Sequence, residues 1–190
     1  MTMIRQVRLQ DAAQIAAIYN GYVNETTVTF ELDPVSDTDM RERIRKIAAH
    51  YPYLVYEQEN RIIGYCYVHG WKEKAAYSHT AETTVYLHPS FKRQGIGSSL
   101  MKALIEACAK QGYHTLIACI TEGNGESIAL HEKLGFKQAS HFHEVGCKFG
   151  RWLGVVDYEL TLGVQSKSRS FVDTNQQIRK NGCKSARRNA

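Results

Sequence analysis

Proline is scarce in this sequence, with three residues among 190, at positions 34, 52 and 89. Proline-rich linkers and polyproline ligand motifs are thereby excluded, and each proline marks an element boundary. Long apolar runs are missing as well. No stretch reaches the roughly 18 uninterrupted apolar residues of a membrane helix, and Met1 to Gln10 holds Arg5 and Arg8 without an apolar segment. Neither a membrane span nor a signal peptide is expected, and cytoplasm is the default location. Cysteines stand at 66, 108, 119, 147 and 183, an odd number never spaced C-x-x-C. That pattern indicates reduced, mostly core thiols, and no metal is expected. No internal repeat is visible.

The formal charge of +5 is unevenly placed. Residues 163–190 hold seven cations, Lys167, Arg169, Arg179, Lys180, Lys184, Arg187 and Arg188, against Asp173 alone; taking that +6 away leaves −1 for residues 1–162. The C-terminal stretch is rich in Ser, Asn, Gln, Lys and Arg and too poor in apolar residues to offset the entropy of ordering it. The organisation expected is one domain over 1–162 and a basic, disordered, dispensable tail over 163–190. With Phe171 as its one aromatic, the tail offers nucleic acid weak, non-specific contact at most.

Hydrophobic periodicity divides the domain into elements. Met3 to Leu9 reads as a strand, followed by a helix to Val23 that Asp11 and Gln14 open as a capping-box variant. Asn24 to Pro34 is a short strand or a loop over a site. Ser36 with Asp39 caps a second helix whose buried stripe is Met40, Ile44, Ile47 and Ala48. Tyr53 to Glu57 and Arg61 to His69 form a hairpin around Glu59 and Asn60. The strand ending at Leu87 leads to a helix from Ser98 to Lys110, a central strand from Tyr113 to Ile120 and a short helix from Glu126 to Leu134. Phe136 to Val145 and Val155 to Leu162 finish an α/β layered domain with a mixed sheet.

The segment Glu82 to Leu104 carries the first chemical signal. Lys92, Arg93, Gln94, Gly95, Ile96, Gly97 and Ser98 place two cations and two glycines between a strand and a helix. First-turn amides lack internal partners, and the helix dipole favours negative charge, so the loop suits a phosphate. The Walker pattern is absent. A dinucleotide fingerprint would require glycine where Leu100 stands, although Glu122 is at a tolerable distance for a ribose carboxylate. A glycine-rich turn with no ligand fits the same residues.

This loop resembles the acetyl-CoA pyrophosphate loop of the GNAT N-acetyltransferases, Arg/Gln-x-x-Gly-x-Gly/Ala, with Lys92 departing at its first position. Asn124, Ser127, Leu130, His131, Leu134, Gly135 and Phe136 stand as N-x-x-S-x-x-L-H-x-x-L-G-F, which is similar to the segment after the fifth strand of that family. With GYCYV at 64–68, WKEKAAY at 71–77, TAETTVYL at 80–87 and KFGRW at 148–152, residues 3–162 resemble the phosphinothricin and methionine-sulfoximine acetyltransferase branch. Gly154 stands where that branch usually has Asp.

The resemblance implies a GNAT-type mixed, mostly antiparallel sheet of six to seven strands flanked by about four helices. It also implies acetyl-CoA as co-substrate, an amine acceptor attacking the thioester directly, and frequent homodimers. By resemblance Glu82 is the general base and His131 the acid that protonates the leaving thiolate. Val85, Tyr86, Leu87, Asn124 and Lys133 join residues 93–98 on the cofactor. Lys72, Ala75, Ala76 and Tyr77 meet a small amino acid's carboxylate and side chain, with hydroxyls of Thr26, Thr27 and Tyr77 near its tetrahedral group. Acetylation of a protein N-terminus or lysine, or CoA sensing without catalysis, are the rival readings. The WKEKAAY segment favours the small substrate, and retention of both Glu82 and His131 favours an enzyme.

Overall fold

The computed structural model describes residues 2–163; the basic tail, its expected disorder and Cys183 fall outside the described residues. Seven strands and four α-helices follow in chain order: β1 (Thr2–Gln6), α1 (Ala12–Glu25), α2 (Asp37–Ala48), β2 (Tyr53–Gln58), β3 (Arg61–Gly70), β4 (Thr80–Leu87), α3 (Ile96–Lys110), β5 (Thr115–Thr121), α4 (Gly125–Lys133), β6 (Lys137–Lys148) and β7 (Arg151–Thr161). They form one sheet in the order β1-β2-β3-β4-β5-β7-β6, in which β4 and β5 alone pair in parallel. The expected mixed, mostly antiparallel sheet is present in full. Among the described residues, no helix is long and apolar enough to cross a membrane.

Strand alternation sorts the core into two layers. Leu54, Ile63, Cys66 and Val68 face α3, where Leu100, Met101, Leu104 and Cys108 are fully buried. Tyr53, Val55 and Tyr65 face the other way, against Ile15, Val23, Met40 and Ile44 of α1 and α2. The β2–β3 turn puts Glu59 at φ 52° and Asn60 at φ 64°, the left-handed pair that a two-residue hairpin requires.

Several boundaries differ from expectation for identifiable reasons. The capping box at Asp11 and Gln14 does not form: the Asp11 carboxylate takes Arg5 (2.8 and 2.9 Å) and the Arg8 amide (2.7 Å), while Gln14 Oε1 accepts from Ile62 N (2.8 Å). Long-range partners have displaced the local cap. At Ser36 the cap is made, its hydroxyl accepting from Asp39 N at 3.1 Å. Ala48 is exposed, so the α2 stripe ends at the half-buried Ile47. α3 starts at Ile96 rather than Ser98, because Gly95 at φ 79° turns the chain into the helix. β6 and β7 run on to a tight turn at Phe149 (φ 51°) and Gly150 (φ 70°), the pairing passing an irregularity between Phe142 and Gly146 where Glu144 takes φ 53°. An interrupted alternation hid that extension.

Arg5 links Asp11 to Glu57 of β2, and the side chains of Arg5 and Asp11 are only 11% and 5% exposed. Burial pushes the Asp11 carboxyl up, but the bonds from Arg5 and from Arg8 N outweigh it and hold it below the usual Asp range. A depressed folded-state value means that this stabilisation is complete above about pH 4 and is lost as pH falls further. Asp11→Ala leaves Arg5 short of a partner in a dry site; the expected loss is about 3 kcal/mol, seen as a lower urea midpoint at neutral pH. A stability loss below about 1 kcal/mol would show the pair to be solvated.

Candidate active site

Two strands that diverge make the site. β4 and β5 pair only at Thr80–Thr115, Ala81–Leu116 and Glu82–Ile117. Beyond Glu82 the ladder stops, which leaves backbone groups on the facing edges of both strands available to a ligand. Thr83 Oγ1 donates to Ile117 O (3.2 Å) and closes the vertex of the wedge. Because α3 follows β4 and α4 follows β5, both helices begin beside the opening, and their amide ends favour an anion there.

The wedge holds two adjoining cavities. The larger, about 730 Å³, is lined by Val85 and Leu87 of β4, by Arg93, Gly95, Gly97 and Ser98 at the start of α3, and by Asn124 and Lys133 of α4 and its cap. The smaller, about 280 Å³, is lined by Glu82, Tyr86, Cys119 and His131. Val28, Val85, Asn124 and Ser127 line both, so the two form one cleft. Gln94 and Ile96 line neither: Gln94 is exposed and the Ile96 side chain is buried in the core, so only their backbones reach the loop.

Charges in the cleft are placed asymmetrically. Lys92 Nζ pairs with Glu126 at 3.0 Å across the mouth of the larger cavity. Arg93 has no ion-pair partner among the described residues, and with Lys133 it gives that cavity its positive character. Glu82 lies at the vertex with its side chain 27% exposed and His69 Nε2 3.8 Å away. Burial raises the Glu82 carboxyl above the ordinary Glu range; His69 opposes that shift and Asp157 adds to it. A carboxylate so raised is a better proton acceptor.

Asn124 serves two purposes because its amide has two ends. Its Oδ1 accepts from Ser127 N (3.3 Å) and caps α4, which leaves the NH2 group for a ligand in either cavity. His131 is buried, its ring edge-on to Phe136 at 5.0 Å. Nδ1 lies 2.8 Å from Ser127 O, which can only accept, so the proton resides on Nδ1. Burial lowers the ring's pKa and keeps it neutral. No buried side-chain polar atom among the described residues lacks a partner, so Nε2 opens to the cleft as an acceptor. Acting as the thiolate's acid would require a second proton on that ring.

The loop over the smaller cavity is held by residues that sequence reasoning missed. Thr121 Oγ1 donates to Thr27 O (2.9 Å), Tyr19 and Thr29 hydroxyls bond at 2.9 Å, and the buried Lys148 donates to Thr29 O (2.8 Å). Lys148 stands 119 residues from Thr29, and a lysine in a strand looks the same in sequence whether solvated or buried. Thr26, expected near the substrate, donates to Tyr22 O (2.8 Å) at the end of α1. Tyr22 also donates to Leu87 O (2.7 Å), so that carbonyl is already taken.

Lys72, Ala75, Ala76 and Tyr77 line neither cavity. They lie on a turn beyond β3 that includes a 3-10 segment, Ala75–Tyr77, with Lys72, Ala75 and Ala76 exposed and Tyr77 partly so. The Lys72 ammonium sits over the rings of Trp71 (4.0 Å) and Tyr77 (5.4 Å).

A diverging parallel strand pair with two helix N-termini at its open end and a raised carboxyl at its vertex makes a cleft with one end suited to an anionic group and the other to proton transfer. Residues 4–156 match the acetyltransferase (GNAT) domain family, and the chain belongs to it. It is an acetyl-CoA-dependent N-acetyltransferase. It is 40% identical over 155 residues to a phosphinothricin N-acetyltransferase of Alcaligenes faecalis, covering 80% of this chain and 79% of that one. It is 35% identical over 161 residues to an L-methionine sulfoximine/L-methionine sulfone acetyltransferase of Pseudomonas aeruginosa, covering 84% and 94%. A phosphinothricin acetyltransferase of Sinorhizobium meliloti, solved in complex with acetyl-CoA, superposes with a TM-score of 0.83 at 32% identity, covering 88% and 92%.

Proposed function

We propose that this enzyme acetylates the α-amine of a small amino acid or analogue, of the methionine sulfoximine, methionine sulfone or phosphinothricin kind, by direct attack within a ternary complex. The observation that carries this reading is the raised Glu82 carboxyl in a small cavity that adjoins a donor-sized one. Pyrophosphate docks on the first-turn amides of α3 with Arg93, the pantetheine arm adds to the open edge of β4 along Val85, and Asn124 donates to it. Lys133 reaches the outer phosphate.

The substrate ammonium loses a proton to Glu82, its nitrogen attacks the thioester carbon, and the C–S bond breaks to release the CoA thiolate. His131 accepts a hydrogen bond through Nε2 and orients its donor; the second proton, which the nitrogen sheds on becoming an amide, passes through water in the open cleft to the thiolate. Cys119 is exposed by surface area and lines the smaller cavity, but desolvation within the cleft, with Glu82 and Asp157 nearby, pushes its thiol up to about 12. A thiol so protonated is a poor nucleophile, which supports direct transfer over an acyl-enzyme.

A cavity of about 280 Å³ suits a free amino acid better than a peptide segment. The turn with Lys72, Ala75, Ala76 and Tyr77 follows His69, which lies 3.8 Å from Glu82, and that position supports its receiving the substrate carboxylate from the open side. The exposed Phe142, Val145, Phe149 and Trp152 on β6, β7 and the turn between them support pairing of two copies. A panel of amines with acetyl-CoA tests the reading. Activity is expected on free methionine sulfoximine or phosphinothricin and lost on their esters; activity confined to peptide N-termini or polyamines would sink it.

A further inference from the structure

Just past the C-terminal end of β5, beside Thr121 and two residues before Asn124, three donor side chains that the acetyl-transfer reading does not use converge. His141 and His143 are two apart on β6 and project from one face of it, with ring centroids 4.0 Å apart. Glu122 immediately follows β5, and its Oε1 lies 3.1 Å from His141 Nε2. One donor atom from each residue falls within 4.8 Å of both others, and all three residues are exposed. His143 has no hydrogen-bond partner among the described residues, so its imidazole is free to act as a third donor beside the Glu122–His141 pair.

Gly154 makes the convergence possible. Glu122 N donates to Gly154 O at 2.9 Å, and the carboxylate folds back over the glycine. A Cβ on residue 154 would stand 2.3 Å from Glu122 Oε2 and 2.8 Å from Phe142 O. A side chain there would force both the Glu122 carboxylate and the Phe142 carbonyl to shift from these positions.

We propose that Glu122, His141 and His143 form a binding site for a divalent transition-metal ion of the zinc class. Two imidazoles and one carboxylate are a donor set for zinc, nickel or copper rather than for magnesium or calcium. Zinc bonds of about 2.1 Å to nitrogen and oxygen place tetrahedral ligands about 3.4 Å apart, so small rotations of exposed side chains close the site and leave a fourth position for water. The ion would tie the end of β5 to β6. Thr121, which anchors the loop over the smaller cavity, and Asn124, which caps α4, flank Glu122, so occupancy would brace both. The site stands independently of the substrate reading.

Metal-stripped full-length protein titrated with zinc against a chromophoric chelator tests this. One ion per chain is expected that is absent from the folded His141→Ala/His143→Ala double variant, and Glu122→Gln is expected to weaken it by at least about tenfold. Gly154→Ala keeps every donor but crowds the carboxylate, and is expected to weaken zinc as well. No saturable binding by the wild-type chain, or unchanged affinity and stoichiometry in the double variant, would overturn the proposal.

Discussion

Glu82→Gln is expected to lower kcat by a factor of about 10² to 10⁴ while leaving acetyl-CoA affinity unchanged, since that is the usual worth of a positioned general base. The factor corresponds to about 3 to 5 kcal/mol of barrier. Glutamine keeps the shape, and Glu82 lines only the smaller cavity, so donor binding has no reason to change. The pH profile supplies an independent check. A base must be deprotonated, and the Glu82 carboxyl is raised chiefly by burial, so the acid limb of kcat/KM should lie above the ordinary glutamate range. Glutamine should erase that limb. Turnover within a few-fold of wild type at every pH would assign the proton to solvent or another group.

The second large effect is at the start of α3. Gly97→Val should abolish acetyl-CoA binding, because a Cβ there lies 3.3 Å from Leu87 Cδ1 and 3.4 Å from Leu130 Cδ2, both in the wall of the larger cavity. The extra methyls then fill the approach to the first-turn amides. Losing two bonds to a charged phosphate, each worth about 1.5 to 3 kcal/mol, weakens affinity by at least roughly a hundredfold. Gly95 is a glycine for a different reason: a Cβ at that position would meet nothing within 4 Å, but its φ is +79°. Gly95→Asn, which tolerates that conformation, should therefore retain binding that Gly95→Val loses. Calorimetric titration of acetyl-CoA into folded Gly97→Val that returned the wild-type Kd would place the pyrophosphate elsewhere.

Local chemistry was legible from the residues. The Ser36 cap and the tight turn at Glu59 and Asn60 depend on neighbours a few positions apart, and both formed. The apolar stripe of α3 likewise found its core. Resemblance to the family's motifs grouped Glu82, Asn124 and His131 in one site, and the three line one cleft. Where a residue had both a local and a distant option, the sequence misled: Asp11 and Gln14 spell a cap, yet Arg5 and the Ile62 amide claim them. A charged or long-range partner in a dry site outweighs a solvent-exposed cap.

Other features were decided by packing alone. The parallel ladder ends at Glu82 and Ile117, and that divergence, which creates the cleft, has no signature in either strand's composition. The proton on His131 Nδ1 is set by Ser127 O, and the pull on Lys148 comes from Thr29 across 119 positions. Glu122 meets His141 and His143 only because β7 brings Gly154 between them. Sequence patterns record which groups each element can offer. Which of those groups end within hydrogen-bonding reach of one another depends on strand order, register and the room a missing side chain leaves.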